Sequence, residues 1–309
     1  MVLTNSVAVI YRHNCVRLAF VIGTLILFIF HVIVNHLHEV GHKTLFLHDT
    51  YRPEHSVVND IQPTRAIYHL LNIINYIWQF AWLIYTLTFL FRRSAAGYLY
   101  LIPNTLTLTF YITFILGLLT QTFWVLFFSS HVNWAWLAYL ISFLLLSLSL
   151  FILINNLALN RNIYETDGLN RDVWCLRFLA QNGIAYIACW TAIRFVLTFD
   201  VFLQRNLSCS LLNAGTVCLI IAFIIAVGYY IFPNINAAYV EQYAYQFSPW
   251  IVFILYFWGV VQYNWIPYNV TRNNIIAVIE LIAILVFTVI AILLFSLRYS
   301  RSKIDRFAI

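Results

Sequence analysis

The chain has 309 residues, of which 63% are hydrophobic, 18% aromatic and 9% charged, and its formal net charge is +6. A water-soluble domain carries about 25% charged residues, so this composition excludes a soluble enzyme or binding module and places most of the chain in lipid. The basic surplus would suggest nucleic acid in a soluble protein, but here it falls at the ends of apolar runs, and the chain has no P-loop and no Rossmann turn.

A helix needs about 20 apolar residues to cross roughly 30 Å of hydrocarbon. Residues 1–16 read as a short tail that ends in Arg12 and Cys15. The first span is predicted at 17–37. It is longer than the apolar core of a cleaved signal peptide and reads as an uncleaved signal anchor. A histidine-rich loop follows at 38–65, then spans at 66–91, 107–129 and 133–155. The connection 156–173 is polar, and the remaining spans are predicted at 174–199, 212–232, 247–263 and 273–297. The seventh is the shortest and begins near Pro249, and residues 298–309 form a basic tail. Runs such as Leu140–Leu153 are nearly continuous. They lack the alternation that a membrane β-barrel shows over about 10 residues. The expected fold class is therefore all-α: a polytopic transmembrane bundle of about eight spans, one embedded domain over 17–297 between two tails.

Lys and Arg favour the cytoplasmic side. With the N-terminus inside, that side holds Arg12, Arg17, Arg92, Arg93, Arg161, Arg171, Arg177, Arg298, Arg301, Lys303 and Arg306. The opposite side holds Lys43, Arg52, Arg65, Arg205 and Arg272, and both termini are expected in the cytoplasm of a plasma membrane or endomembrane protein. Two glycosylation sequons, Asn206-Leu207-Ser208 and Asn269-Val270-Thr271, both fall in loops assigned to the outside.

Three features could carry chemistry. His38-Glu39-Val40-Gly41-His42 fits H-E-x-x-H. On a helix, positions i and i+4 share a face, so His38 and His42 could hold a zinc ion with Glu39 as general base. Intramembrane zinc proteases also need a later aspartate ligand in a Gly-containing context; Asp200 is followed by Val201 and does not supply it. A solvated polar loop is the plainer reading. Next, Arg194 and Glu280 are lone charges of opposite sign at similar depth in the fifth and eighth spans. An unpaired charge there costs at least about 2.5–3.5 kcal/mol, so the two are expected to pair or to share a polar cavity. The third feature is a set of aromatic and amide side chains, Trp78, Gln79, Trp82, Gln121, Trp124 and Trp190, on the second, third and fifth spans. Together they could line an apolar pocket with a few placed polar groups, or they could simply fill the core.

Asn75-Tyr76-Ile77-Trp78-Gln79-Phe80-Ala81-Trp82-Leu83-Ile84-Tyr85 resembles a second-span Ile-Tyr-x-Trp-Gln-x-x-Trp-x-x-Tyr pattern of animal multi-pass proteins distantly related to the tryptophan-rich sensory protein/translocator (TspO/MBR) group. Gln121-Thr122-Phe123-Trp124 is similar to that group's Asn-x-x-Trp segment, and Gln181-Asn182-Gly183-Ile184-Ala185-Tyr186 with Trp190-Thr191 to its Gln-Asn-Gly…Tyr-Ala-Thr-Trp-Thr-Thr segment. The chain departs from the pattern at Asn72, Gln121, Arg194 and Thr198. The resemblance implies a helical fold with a ligand pocket among aromatic spans, and a group associated with porphyrins and sterols.

The leading functional expectation is a non-enzymatic multi-pass protein that binds, senses or transports a small amphipathic ligand. Its pocket would use the six aromatic and amide residues, with Arg194–Glu280 as a polar lock. The alternatives are a membrane metalloenzyme at 38–42, and a receptor-like or structural membrane protein without a small ligand. The expected partners are the bilayer, the amphipathic ligand and, as an option, further copies of the chain. No cofactor follows from the sequence.

Overall fold

A computed structural model describes residues 13–40, 60–94, 97–127, 134–235 and 242–307. The chain folds into helices α1 (Cys15–Val40) and α2 (Arg65–Thr88), then a two-residue hairpin of β1 (Arg93–Ser94) and β2 (Gly97–Tyr98). Helices α3 (Leu108–Phe127) and α4 (Ala135–Leu159) follow, with the short α5 (Arg161–Thr166) and α6 (Asn170–Cys175). A π-helical segment, Leu176–Gln181, joins α6 to α7 (Asn182–Asn206); α8 (Leu211–Ile235), α9 (Ser248–Asn264) and α10 (Arg272–Phe307) complete the described chain.

Among the described residues, seven helical runs are long and apolar enough to cross a membrane: α1, α2, α3, α4, the continuous α6–α7 run, α8 and α10. In this polytopic helical bundle α7 is the central post. It packs on α2, α4, α8 and α9, while α1 and α3 lie outside α2 and α4, and α10 lies outside α8 and α9. Over an 18-residue apolar stretch the run through α7 is 89% buried, against 22% for α10. In lipid the order of a soluble protein is reversed: the most apolar helix sits at the rim, and the post carries the polar groups, because only protein neighbours can satisfy them. Small residues on α7, among them Gly183, Ala185, Ala188 and Ala192, let its neighbours approach closely. At Gly183 an added Cβ would stand 2.9 Å from Trp82 Cδ1, so the bare backbone is what admits the indole. Isoleucines such as Ile26, Ile33, Ile77, Ile84, Ile224 and Ile282 point outward and form the apolar coat.

Two details differ from the sequence expectation. α10 does not stop at 297 but runs on to Phe307, since its Ser-, Arg- and Lys-rich end contains no Gly or Pro to break the helix. The polar connection at 156–173 is partly helical, folding into α5 and α6. α9 agrees with the short span expected at 247–263: it covers 17 residues, roughly 25 Å of helix, which is shorter than the hydrocarbon layer.

The end of the bundle where α2 stops is tied by polar contacts. Arg92 clamps Asp172 of α6 with two hydrogen bonds of 2.6 and 2.8 Å, and the Tyr85 hydroxyl donates to the same carboxylate. These bonds hold the Arg92 guanidinium above its ordinary pKa, against the opposing effect of desolvation. At the opposite end, Arg272 donates to Leu212 O and to Asn213 Oδ1, and Asn273 donates to Asp60 Oδ2.

Candidate functional site

The aromatic set assembles on the α2–α7 contact, and its polar atoms face one another. Trp82 is fully buried; its indole N–H donates to Gln79 Oε1 at 2.6 Å. The Gln79 amide in turn donates to Gly183 O at 2.7 Å and to Asn75 Oδ1 at 3.2 Å. Trp190 donates to Asn72 Oδ1 at 2.7 Å and meets Tyr68 edge to face. Trp78 donates to Phe178 O at 3.1 Å and packs against Tyr186 and Phe247. Phe110 and Phe114 close over Trp82 edge-on. Each of these three indole N–H groups thus has a protein acceptor. Asn72, at a position where the resembled pattern has Trp, is the acceptor that Trp190 needs.

Gln121 and Trp124 stand apart from this group. Gln121 Nε2 joins three helices by donating to Ser142 Oγ at 2.6 Å and Thr191 Oγ1 at 3.0 Å. Ser142 passes the bond on to Gly117 O at 2.7 Å. Trp124 is buried beside a shallow groove between α3 and α4 that also touches Phe123 and Trp134.

Arg194 points toward α1 and α4. Its Nη1 is 3.4 Å from Asn35 Oδ1, and its guanidinium lies 4.6 Å above the Tyr139 ring. Asn35 donates to His31 O at 2.8 Å, and His31 Nδ1 is 2.8 Å from Thr122 Oγ1. Glu280 is buried on α10, which packs on α8 and α9. Among the described residues no ion pair joins it to Arg194, so the expected polar lock is not formed. The two charges face different neighbours, which their expected depth in the spans cannot register. Glu280 instead lies within electrostatic reach of Tyr256, as do Asp200 and Cys218. Glu280 Oε2 and Asp200 Oδ1 are both buried without a hydrogen-bond donor, although Gln204 donates to the other oxygen of Asp200 at 2.7 Å.

His38 lies in the last turn of α1, so the start of the H-E-x-x-H run is helical. His42 lies outside the described residues. Among the described residues no three His, Cys, Asp or Glu side chains come together as a metal site. Asn206 is exposed at the end of α7, and Asn269 is exposed in the turn between α9 and α10. Arg272, at the start of α10, bonds to the beginning of α8, so both sequons belong to one end of the bundle.

One cavity among the described residues was not signalled by the aromatic pattern. It measures about 400 Å³ and lies between Phe143, Ser147, Leu150 and Phe151 of α4 and Ile225, Gly228 and Tyr229 of α8. Tyr243 and Gln246, from the segment leading into α9, close one end. Among the described residues the lining is overwhelmingly apolar and contains no charged side chain. Two of its residues, Ser147 and Gln246, have a covered side-chain polar atom (Oγ and Nε2) without a hydrogen-bond partner, and Gln246 also borders a second cavity beside Arg177. Gly228 is exposed, and a Cβ added to it would meet nothing within 4 Å, so the cavity is open at its flank.

The wall formed by 242–248 is held by the Gln181-Asn182 pair at the π-to-α junction. Gln181 Nε2 donates to Gln242 O at 3.0 Å, and Asn182 Nδ2 donates to Tyr245 O at 2.8 Å. Asn182 Oδ1 accepts from the backbone N–H of Phe247 at 2.9 Å and of Ser248 at 3.1 Å, which satisfies donors at the start of α9. The Ser248 hydroxyl closes the loop by donating to Asn182 O at 2.6 Å. The π turn brings Asn182 to this position, and single-turn π segments recur where a helix must place a side chain off register. Sequence inspection could have marked Gly228 as a lone glycine inside an apolar span. It could not have marked Gln246, whose role depends on where the strap lands.

No family model matches the chain, and no curated protein or solved structure is similar to it.

Proposed function

We propose that this multi-pass membrane protein binds a small amphipathic ligand, taken from the bilayer into the cavity between α4 and α8. The observation that carries this reading is the apolar cavity of about 400 Å³ itself, open at its Gly228 flank. Ligand sites have this character, with apolar walls, a few polar groups and volumes of about 300–1,000 Å³. Trp78, Gln79 and Trp190 then act behind the site. Trp78 packs on Phe247, and the Gln79–Gly183 and Trp190–Asn72 bonds fix α2 against the post from which Asn182 holds the strap. Binding would thereby be felt along α7, the arrangement a sensor or a carrier of amphiphiles requires. The reading also takes α9 as a short eighth crossing that places both termini in the cytoplasm, and keeps the resemblance to the TspO/MBR group as a resemblance of fold.

The test is retention of lipid. Purified wild-type protein and Gly228→Trp, whose indole would fill the open flank, are compared by mass spectrometry under native conditions. The wild type should carry a co-purifying small lipid that Gly228→Trp lacks. Identical lipid content in two equally folded samples would overturn the reading.

A further inference from the structure

Four side chains that can carry a proton stand in one layer near the Asp60 end of the bundle, independent of the α4–α8 cavity. Asp200 lies six residues before the end of α7 at Asn206, and Cys218 seven residues into α8 from Leu211. Tyr256 lies eight residues before the end of α9 at Asn264, and Glu280 eight residues into α10 from Arg272. At 1.5 Å per residue, all four are about 9–12 Å from the helix end nearest them. Those ends are joined: Asn274 donates to Asn264 O at 2.8 Å, Arg272 to Leu212 O at 3.3 Å, and the Tyr256 hydroxyl to Ile61 O, next to Asp60, at 3.1 Å. α8 and α9 each pack on both α7 and α10, so Cys218 and Tyr256 stand between the two carboxyls.

We propose that Asp200 and Glu280 are a pair of exchangeable proton-binding carboxyls, loaded from the Asp60 end of the bundle. The first support is the state of their oxygens. Asp200 is fully buried and Glu280 is 5% exposed, and Asp200 Oδ1 and Glu280 Oε2 have no hydrogen-bond donor. An ionised carboxylate in this position loses its hydration with nothing in exchange, so a positive species is held there in compensation. The second support is the set of facing groups. Asp200 faces Asp60 ahead of α2, Cys218 of α8 and Tyr256 of α9; Glu280 faces Tyr256 of α9, with Cys218 the titratable group of α8 in the same layer. From α4, Tyr139 lies under Arg194 instead. The cations at this end are directed elsewhere: Arg194 to Asn35, Arg65 to His69 and Arg272 to Leu212 and Asn213, while Arg205 is exposed. The third support is the ligand set. A metal ion needs several ligands at once, and among the described residues no three His, Cys, Asp or Glu side chains come together, whereas a proton needs one oxygen. Asp60, partly exposed and within electrostatic reach of Asp200, marks the way in. Each proton taken from water turns one carboxylate into a carboxylic acid and adds one positive charge to the protein; no other bond changes.

The experiment uses the full chain in phosphatidylcholine vesicles captured through a C-terminal tag. α10 runs from the Asp60 end toward the opposite end, so captured vesicles keep the Asp60 end inside. Interior and exterior are buffered separately, mildly acidic or alkaline. Dicyclohexylcarbodiimide, which enters lipid and reacts with protonated carboxyls, is mapped by peptide mass spectrometry. Asp200 and Glu280 should both be labelled, and labelling should fall several-fold when the interior is made alkaline but not when only the exterior is. Infrared difference spectra between the two interior conditions should show a protonated-carboxyl band, part of which disappears in Asp200→Asn and the rest in Glu280→Gln. A purely structural role for these near-isosteric pairs predicts no such pH-linked band. Absence of label at either residue, or label and band that ignore pH, would overturn the proton-binding pair. Suppression of labelling by sodium at constant pH would overturn it in favour of a metal-cation site. A response to exterior pH alone would overturn the loading route.

Discussion

At the scale of single residues, the interior polar groups are defined by whether a protein partner exists, since lipid offers none. Trp190 and Asn72 are buried and depend on one another. Trp190→Phe leaves the Asn72 carbonyl oxygen without its donor and should lower stability by roughly 1–3 kcal/mol, read as a fall in thermal midpoint in detergent. Arg92→Ala removes both bonds to the buried Asp172 carboxylate and leaves it the Tyr85 hydroxyl. Because the Arg92 side chain is 42% exposed, the expected loss is at the modest end, roughly 1–3 kcal/mol. Arg92→Lys should recover part of it, since lysine cannot form the two-pronged contact. Asp60 gives a pH test outside the spans. Burial raises its carboxyl above the ordinary value of 3.8, against a smaller opposing effect of the Asn273 amide. A raised folded-state pKa means that ionisation costs stability. The contribution of this group is therefore most favourable below its unfolded value, declines as pH rises through the folded value, and is level above it. Asp60→Asn should accordingly be more stable than the wild type at pH 7 and indistinguishable from it near pH 3; a difference that grows toward acid would refute the assignment. The sequence made these groups visible as polar letters in apolar runs. It could not say which would meet, and the pairing of Arg194 with Glu280 failed for that reason: equal depth fixes one coordinate, while partnership also needs the helix neighbours.

At the scale of elements, the spans were legible because apolar length is a local property. The π turn and the strap at 242–248, with the cap it receives, were not, because they are mutual. Asn182 satisfies the first donors of α9 from a position 65 residues before Phe247. No N-cap signal precedes Ser248 in the sequence, since the cap comes from another helix. Asn182→Ala should cost roughly 1–2 kcal/mol, the range of a lost helix cap, and should speed amide exchange in 242–250 while leaving α1 and α3 unchanged. Uniform acceleration across the bundle would mean that Asn182 supports the whole core rather than the strap. Gly183 is legible in the opposite sense: a glycine in the middle of a predicted span asks for a close neighbour, and Trp82 is that neighbour.

For the molecule as a whole, orientation in the bilayer is tested by the two sequons, which lie at one end of the bundle. With both termini in the cytoplasm, Asn206→Gln should remove a glycan-dependent mass shift in cells with an intact secretory pathway, and tags at both ends should report the cytosol. Tags in opposite compartments would reduce the crossings to an odd number and make α9 a helix that enters without spanning. The sequence by itself determined the solvent, the helical class and nearly every span, because transfer of apolar residues into lipid and the demand for internal backbone hydrogen bonds act on contiguous stretches. The tertiary structure alone decided that α7 is the post, that the tryptophans bond to the protein, and that the open cavity lies between α4 and α8. Helix-to-helix contact in lipid is set by packing and by polar partners distant in sequence, and the outward faces carry the same hydrophobicity as the inward ones.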